Sequence, residues 1–266
     1  MRSSNPVLNN SETFANPQNY AMPGGQQYGE FAVQQPVVKA MTLDDVIAKS
    51  AILFTIVVAA AAATWYYMWN FGTFQSLYAV TIISSLAAFF TSILVMRRHT
   101  VPPALAMVFS AFEGVFVGGF SLVVGSYIGD MGIVTEAVFA TLVAFAVTLA
   151  AYRFLGARVS GRMQRVVLIS MFAFVGAMLL NLVLSFFNIN LGLAAIGPNA
   201  TPIAWIAAGI GVVLAVFSLL MDFEMIERGI RAGAPEAESW RAAFALVVTL
   251  VWLYTNLLRI LSFFRN

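Results

Sequence analysis

Seven apolar runs, separated by short polar connectors, occupy the chain from Val46 to Phe264. Each is near the roughly 20 residues that a helix needs to cross the hydrocarbon of a bilayer. Only 10% of the 266 residues are charged and 61% are hydrophobic, whereas a soluble domain carries about 25% charge. A water-soluble fold has no way to cover that much apolar surface. The expected fold class is all-α, a polytopic bundle of seven transmembrane helices.

The expected spans are Val46–Trp69, Phe74–Met96, Val101–Ile128, Ile133–Phe154, Val166–Phe187, Ile203–Asp222 and Trp240–Phe264. Pro102 and Pro103 open the third and Pro202 the sixth, at first-turn positions where proline forfeits no helical hydrogen bond. Thr42 and Asp45 have the spacing of a capping box before the first span, with acids at its positive end. Upstream lies a stretch rich in Asn, Gln, Pro, Ser and Gly with no hydrophobic period. Residues 1–41 are therefore expected as a disordered cytoplasmic tail and residues 42–266 as the seven-helix transmembrane domain.

Basic residues set the expected orientation. Arg97, Arg98 and His99 fall between spans two and three. Arg153, Arg158, Arg162 and Arg165 bracket the connector between spans four and five, and Arg228, Arg231 and Arg241 lie between six and seven. The other three connectors hold no Lys or Arg, so twelve of the fourteen basic residues fall on one side. The positive-inside rule puts that side, and the N-terminus, in the cytoplasm, within the cell membrane. Arg259 and Arg265 are the exceptions, which leaves open a shallow or re-entrant seventh segment. The aromatic residues from Trp65 to Trp69, and Trp205, suit an outer interfacial belt.

Ionisable groups within apolar spans are costly and mark functional candidates. Glu113 lies about eleven residues into the third span, near the bilayer midplane at about 1.5 Å per residue. Beside it, Ala106, Ser110, Gly114 and Gly118 form a small-residue stripe that invites close helix contact. Asp222 closes the sixth span on a face shared with Ala207, Gly211, Ala215 and Ser218. It lacks a basic partner and sits toward a helix C-terminus, where the dipole disfavours an anion. Glu224 with Arg228, and Glu227 with Arg231, read instead as solvated i,i+4 pairs. Lys49 reads as a snorkelling residue. Span five carries Ser170, Ala177, Asn181, Ser185 and Asn188 on one face, which reads as helix–helix glue. Thr249, Asn256 and Arg259 form a polar face on span seven, and Arg259 requires a partner or an aqueous route.

Several functions are excluded. The chain has no cysteine and one histidine, so thiolate and multi-histidine metal sites are ruled out. No nucleophile elbow or phosphate loop occurs, and a net charge of +2 gives no basis for nucleic-acid binding. No enzyme activity and no cofactor are expected.

Three stretches resemble the Bax-inhibitor-like, or transmembrane Bax inhibitor motif, family, and within it the bacterial YccA-like branch. They are Ala111–Gly114 with Gly118, Met221–Glu227 and Leu253–Leu261, and the opening SNPVLNN is typical of that branch. The resemblance covers Thr42 to Phe264. It implies six helices around a central C-terminal seventh, a bacterial inner membrane, and the activity of a pH-sensitive calcium leak channel. It also implies a sensor made of two carboxylates, one in each of the last two helices. Asp222 matches the first and is the candidate contact for transported Ca2+, while the second position falls on Asn256. An amide cannot ionise, so a proton shared between two acids would be lost. Arg259, one turn on, would favour ionised Asp222. Depth counting leaves Asn256 roughly 10 Å deeper than Asp222, so contact between them requires a tilt or a shifted span. The ion-pathway residues are thus Asp222, Asn256, Glu113 and Arg259. The alternative is a non-transporting regulator that binds another membrane protein, such as a membrane-anchored protease.

Overall fold

Thr42 and Asp45 close the capping box that opens the first helix: the Asp45 amide donates to the Thr42 hydroxyl at 3.2 Å, and the Thr42 amide to the Asp45 carboxylate at 3.1 Å. The computed structural model describes residues 39–265, so the expected tail up to residue 38 lies outside the described residues. Seven helices follow, all long and apolar enough to cross a membrane. They are α1 (Leu43–Phe71), α2 (Phe74–Met96), α3 (Pro103–Ile128), α4 (Gly132–Phe154), α5 (Gly161–Ser185), α6 (Pro202–Arg231) and α7 (Glu238–Phe263). The fold is all-helical, as expected.

Two boundaries differ from the sequence reading in ways that matter. Helix α6 continues nine residues past Asp222, to Arg231. The pairs Arg228–Glu224 (4.0 Å) and Arg231–Glu227 (3.7 Å) lie along that extension. Asp222 is therefore inside the helix, and the dipole argument drawn from a helix end does not apply to it. Lys39–Met41, assigned to the tail, are docked. Ala40 bridges Pro235, the Met41 amide donates to the Ala234 carbonyl at 2.7 Å, and Met41 is buried. Lys39 pairs with Asp45 at 3.0 Å, and that bond, with the charges of Asp45 and Glu236, holds its ammonium above the ordinary lysine range. Lys49 does not snorkel freely, because Glu236 takes it at 3.2 Å.

Helix α7 is the central element. It packs against α1, α3, α4 and α6, while α2 rests chiefly on α3 and α5 on α6. Fifteen residues of α7 are buried, against two of α5, Val167 and Asn181. The polar face expected to glue α5 thus reduces to Asn181, and α5 reaches α7 mainly by stacking Phe174 on Trp252 at 5.3 Å. The outer surface is apolar: Phe90, Phe139 and Phe172 are each more than 60% exposed. Large exposed apolar surface of this kind suits lipid, not water.

The connectors sort by end. Arg241 donates to the backbone carbonyls of Arg98 and His99, and Arg158 pairs with Glu227 at 3.1 Å, so the three arginine-bearing connectors meet at one end. At the other end Arg265 pairs with Asp130 at 3.2 Å and Glu136 at 2.5 Å, and Trp205 packs on Phe264. The seventh segment therefore crosses completely and is neither shallow nor re-entrant.

The small-residue stripe on α3 seats α1. Ala106, Ser110, Gly114 and Gly118 are all buried, and a Cβ on Gly118 would lie 2.5 Å from the Ala61 carbonyl oxygen. Because backbone cannot yield as a side chain can, Gly118→Leu should destabilise the bundle by about 1–3 kcal/mol. Gly176, which faces open space on α5, serves as the control: Gly176→Ala should be neutral or stabilising, since alanine is the better helix former. Thermal unfolding of both variants in detergent checks this.

Candidate functional site at the interface of the last two helices

Short connectors make α6 and α7 an antiparallel hairpin, so residues equally far from the turn face each other. Asp222 lies nine residues before the end of α6, and Thr249 eleven after the start of α7. They meet: the Thr249 hydroxyl donates to the Asp222 carboxylate at 2.7 Å. Ala207, Gly211, Ala215 and Ser218, the small residues on the Asp222 face, are buried, and Asp222 itself is half-buried. Among the described residues, Thr249 is its only hydrogen-bond partner and no cation pairs with it.

Asn256 does not meet Asp222. It sits seven residues beyond Thr249, about 10 Å along the axis, and packs on Gly211 with no room for a Cβ between them. Its amide nitrogen donates to the Trp252 carbonyl at 2.9 Å, and its buried Oδ1 has no partner among the described residues. The residue facing Asp222 is thus Thr249, a hydroxyl donor that cannot ionise at physiological pH, and neither it nor Asn256 supplies a second carboxylate. The sequence places Thr249 only as one member of a polar face. Counting outward from the α6–α7 turn identifies it as the partner, and the offset of roughly 10 Å expected between Asp222 and Asn256 is present.

Arg259 lies one turn beyond Asn256 and far from Asp222, so it does not tune that acid. It is buried, and it donates to the Leu193 carbonyl in the connector between α5 and α6. Ser262 accepts from the Gly197 amide of the same connector at 3.0 Å. Helix α7 thereby pins this connector over its own end. Arg259 finds its partner in backbone oxygen, with Nε left over.

Glu113 stands apart from all three. Half-buried on α3, it lies one turn from Phe109 and one from Val117, both packed in the cluster shared with α1 and α7. Among the described residues its carboxylate has neither a hydrogen bond nor an ion pair. The four expected pathway residues therefore occupy four separate positions, and among the described residues no group of three His, Asp or Glu side chains gathers to hold an ion.

Thr249 supplies the one bond to a half-buried acid, so losing it should cost more than an ordinary surface hydroxyl. Thr249→Val should destabilise by about 1–3 kcal/mol, and Thr249→Ser should restore most of the loss. Unfolding midpoints of the two variants, measured side by side, test the pairing.

Comparison with curated proteins gives no match. A family model described as Bax inhibitor 1 like matches residues 5–266. That match begins inside the polar tail, includes the hairpin that holds Asp222, and runs to the last residue: the chain belongs to the Bax inhibitor 1 like family.

Proposed function

We propose that this multi-pass membrane protein is a cation leak pathway, with calcium as the transported ion and Asp222 as its acidic element. The observation that carries the reading is a half-buried carboxylate on α6, bonded to Thr249 and unpaired by any cation among the described residues. It stands just before the stretch of its helix that carries the Glu224–Arg228 and Glu227–Arg231 pairs, on the face turned toward Thr249. An acid enclosed between packed helices is costly unless it serves a charged or protonated species, and hard divalent cations favour carboxylate oxygen. Glu113, likewise unpaired, is the second acid along the proposed route. Thr249 in front of Asp222 argues for a single-acid element, not a shared-proton pair. The arginine-rich connectors support a cytoplasmic N-terminus. The opening SNPVLNN supports the YccA-like branch and a bacterial cytoplasmic membrane. Transport, not catalysis, is the proposed activity.

A second reading has one observation in its favour. Lys39–Met41 tie the end of the tail to the α6–α7 connector, so a partner that grips the tail acts directly on the hairpin. In this reading the protein regulates another membrane protein and conducts nothing.

Calcium flux into proteoliposomes separates the two. Asp222→Asn should lower the flux at least about tenfold, the equivalent of about 1.4 kcal/mol; unchanged flux removes Asp222 from the mechanism. Deleting residues 1–38, which spares the docked Lys39–Met41, should leave the flux intact in a conduit and abolish the effect on a partner in a regulator.

A further inference from the structure

A large groove is lined by none of the four pathway residues. It measures about 1740 Å³ and lies between α1 and α4, which stand apart, with α7 as its floor. On α1 it extends from Leu43 to Trp69, which is about 39 Å of helix and so the full depth of a bilayer. Leu246, Leu250 and Tyr254 form the floor, and Val138 and Phe145 the α4 wall. All of its charged lining residues gather at one mouth: Arg153, Arg158, Arg231 and Glu227. Three guanidinium groups against one carboxylate leave that mouth with a net charge of +2. Glu227 is already shared, with Arg158 at 3.1 Å and Arg231 at 3.7 Å. Arg153 is exposed, and no ion pair or hydrogen bond holds it among the described residues.

We propose that this groove binds one anionic phospholipid, its acyl chains along the apolar trough and its phosphate at Arg153, Arg158 and Arg231. Charge and length favour a lipid over a helix, since a cationic mouth at one end of an apolar trough answers a headgroup joined to acyl chains. Length and chemistry agree along the trough, which is apolar for the depth of the membrane and turns cationic only where a headgroup would lie. Guanidinium is the side chain suited to phosphate, through paired N–H donors, and basic pockets between helices are established headgroup sites. A zwitterionic lipid would bring its own ammonium against the uncompensated Arg153, whereas phosphatidylglycerol would not. Tyr152, which donates to Glu227 and lies under Arg158 at 5.6 Å, holds the mouth in shape.

The test uses the full chain purified in detergent, stripped of lipid and examined by native mass spectrometry. Dioleoyl phosphatidylglycerol and dioleoyl phosphatidylcholine are added separately. The expected result is a single retained phosphatidylglycerol, bound about tenfold tighter than phosphatidylcholine. Arg153→Gln should erase that preference, Arg153→Lys should keep much of it, and Ala62→Trp, which fills the trough, should reduce retention of both lipids. Since Arg153 has no structural partner among the described residues, its substitution leaves the fold intact, and an unchanged unfolding midpoint verifies this. Equal retention of the two lipids overturns the proposal, as does phosphatidylglycerol binding that survives in an Arg153→Gln/Arg231→Gln variant. A dimer that Ala62→Trp disperses would assign the groove to a second copy of the chain and overturn it equally.

Discussion

Within hydrocarbon, water gives no reason for one apolar helix to prefer another over lipid, so close packing and buried hydrogen bonds must hold the helices together. The faces where backbones approach most closely govern this bundle. Gly114 and Gly118 let α3 seat against α1 around Val57 and Ala61, and Ala207, Gly211 and Ala215 line the α6 face toward α7. Phe90, Phe139 and Phe172 are turned outward, while Leu53, Leu219, Leu253 and Leu258 fill the space around α7. Small residues mark the closest helix contacts, and bulky ones serve both the centre of the bundle and its lipid-suited surface.

The same scarcity of water dictates what polar groups do on α7. Each must be answered from within: Thr249 by the Asp222 carboxylate, Asn256 by the Trp252 carbonyl, and Arg259 by the Leu193 carbonyl. Tyr254 meets Ser121 at 2.7 Å on the opposite side. The Asn256 bond stays within α7, while those of Thr249, Tyr254 and Arg259 fix the depth and rotation of α7 relative to α6, α3 and the connector before α6. The polar face on α7 thus acts as a register device, and only its Asp222 contact brings an acid into play.

Much of this was legible in the sequence, for reasons that differ by element. Long apolar runs and proline positions gave the seven helices, because crossing hydrocarbon imposes a length that few other constraints share. The stripe of Ala106, Ser110, Gly114 and Gly118 correctly announced a close contact, since spacing alone puts those residues on one face. The end of α6 was misplaced because hydropathy stops at Asp222 while helical geometry continues through two ion pairs. Lys39–Met41 were misassigned because a docked extended segment of three residues has no period to detect. The partner of Asp222 was missed because depth counting showed Asn256 to lie too deep but was not carried across the hairpin to Thr249. The groove between α1 and α4 had no linear signature, as its walls come from helices far apart in the chain.

The position of α7 carries a consequence for how the chain is made. Synthesis runs from the N-terminus, so the segment that occupies the middle of the bundle leaves the ribosome only after the six helices that precede it. Until it arrives, the faces of α1, α3, α4 and α6 that pack on it have no partner, and the carboxylate of Asp222 lacks the Thr249 hydroxyl. The nascent protein must tolerate that half-built state inside the bilayer. Arg265, clasping Asp130 and Glu136, then ties the far end of α7 to the start of α4, and a chain cut short before Glu238 would be missing its keystone, not a dispensable edge.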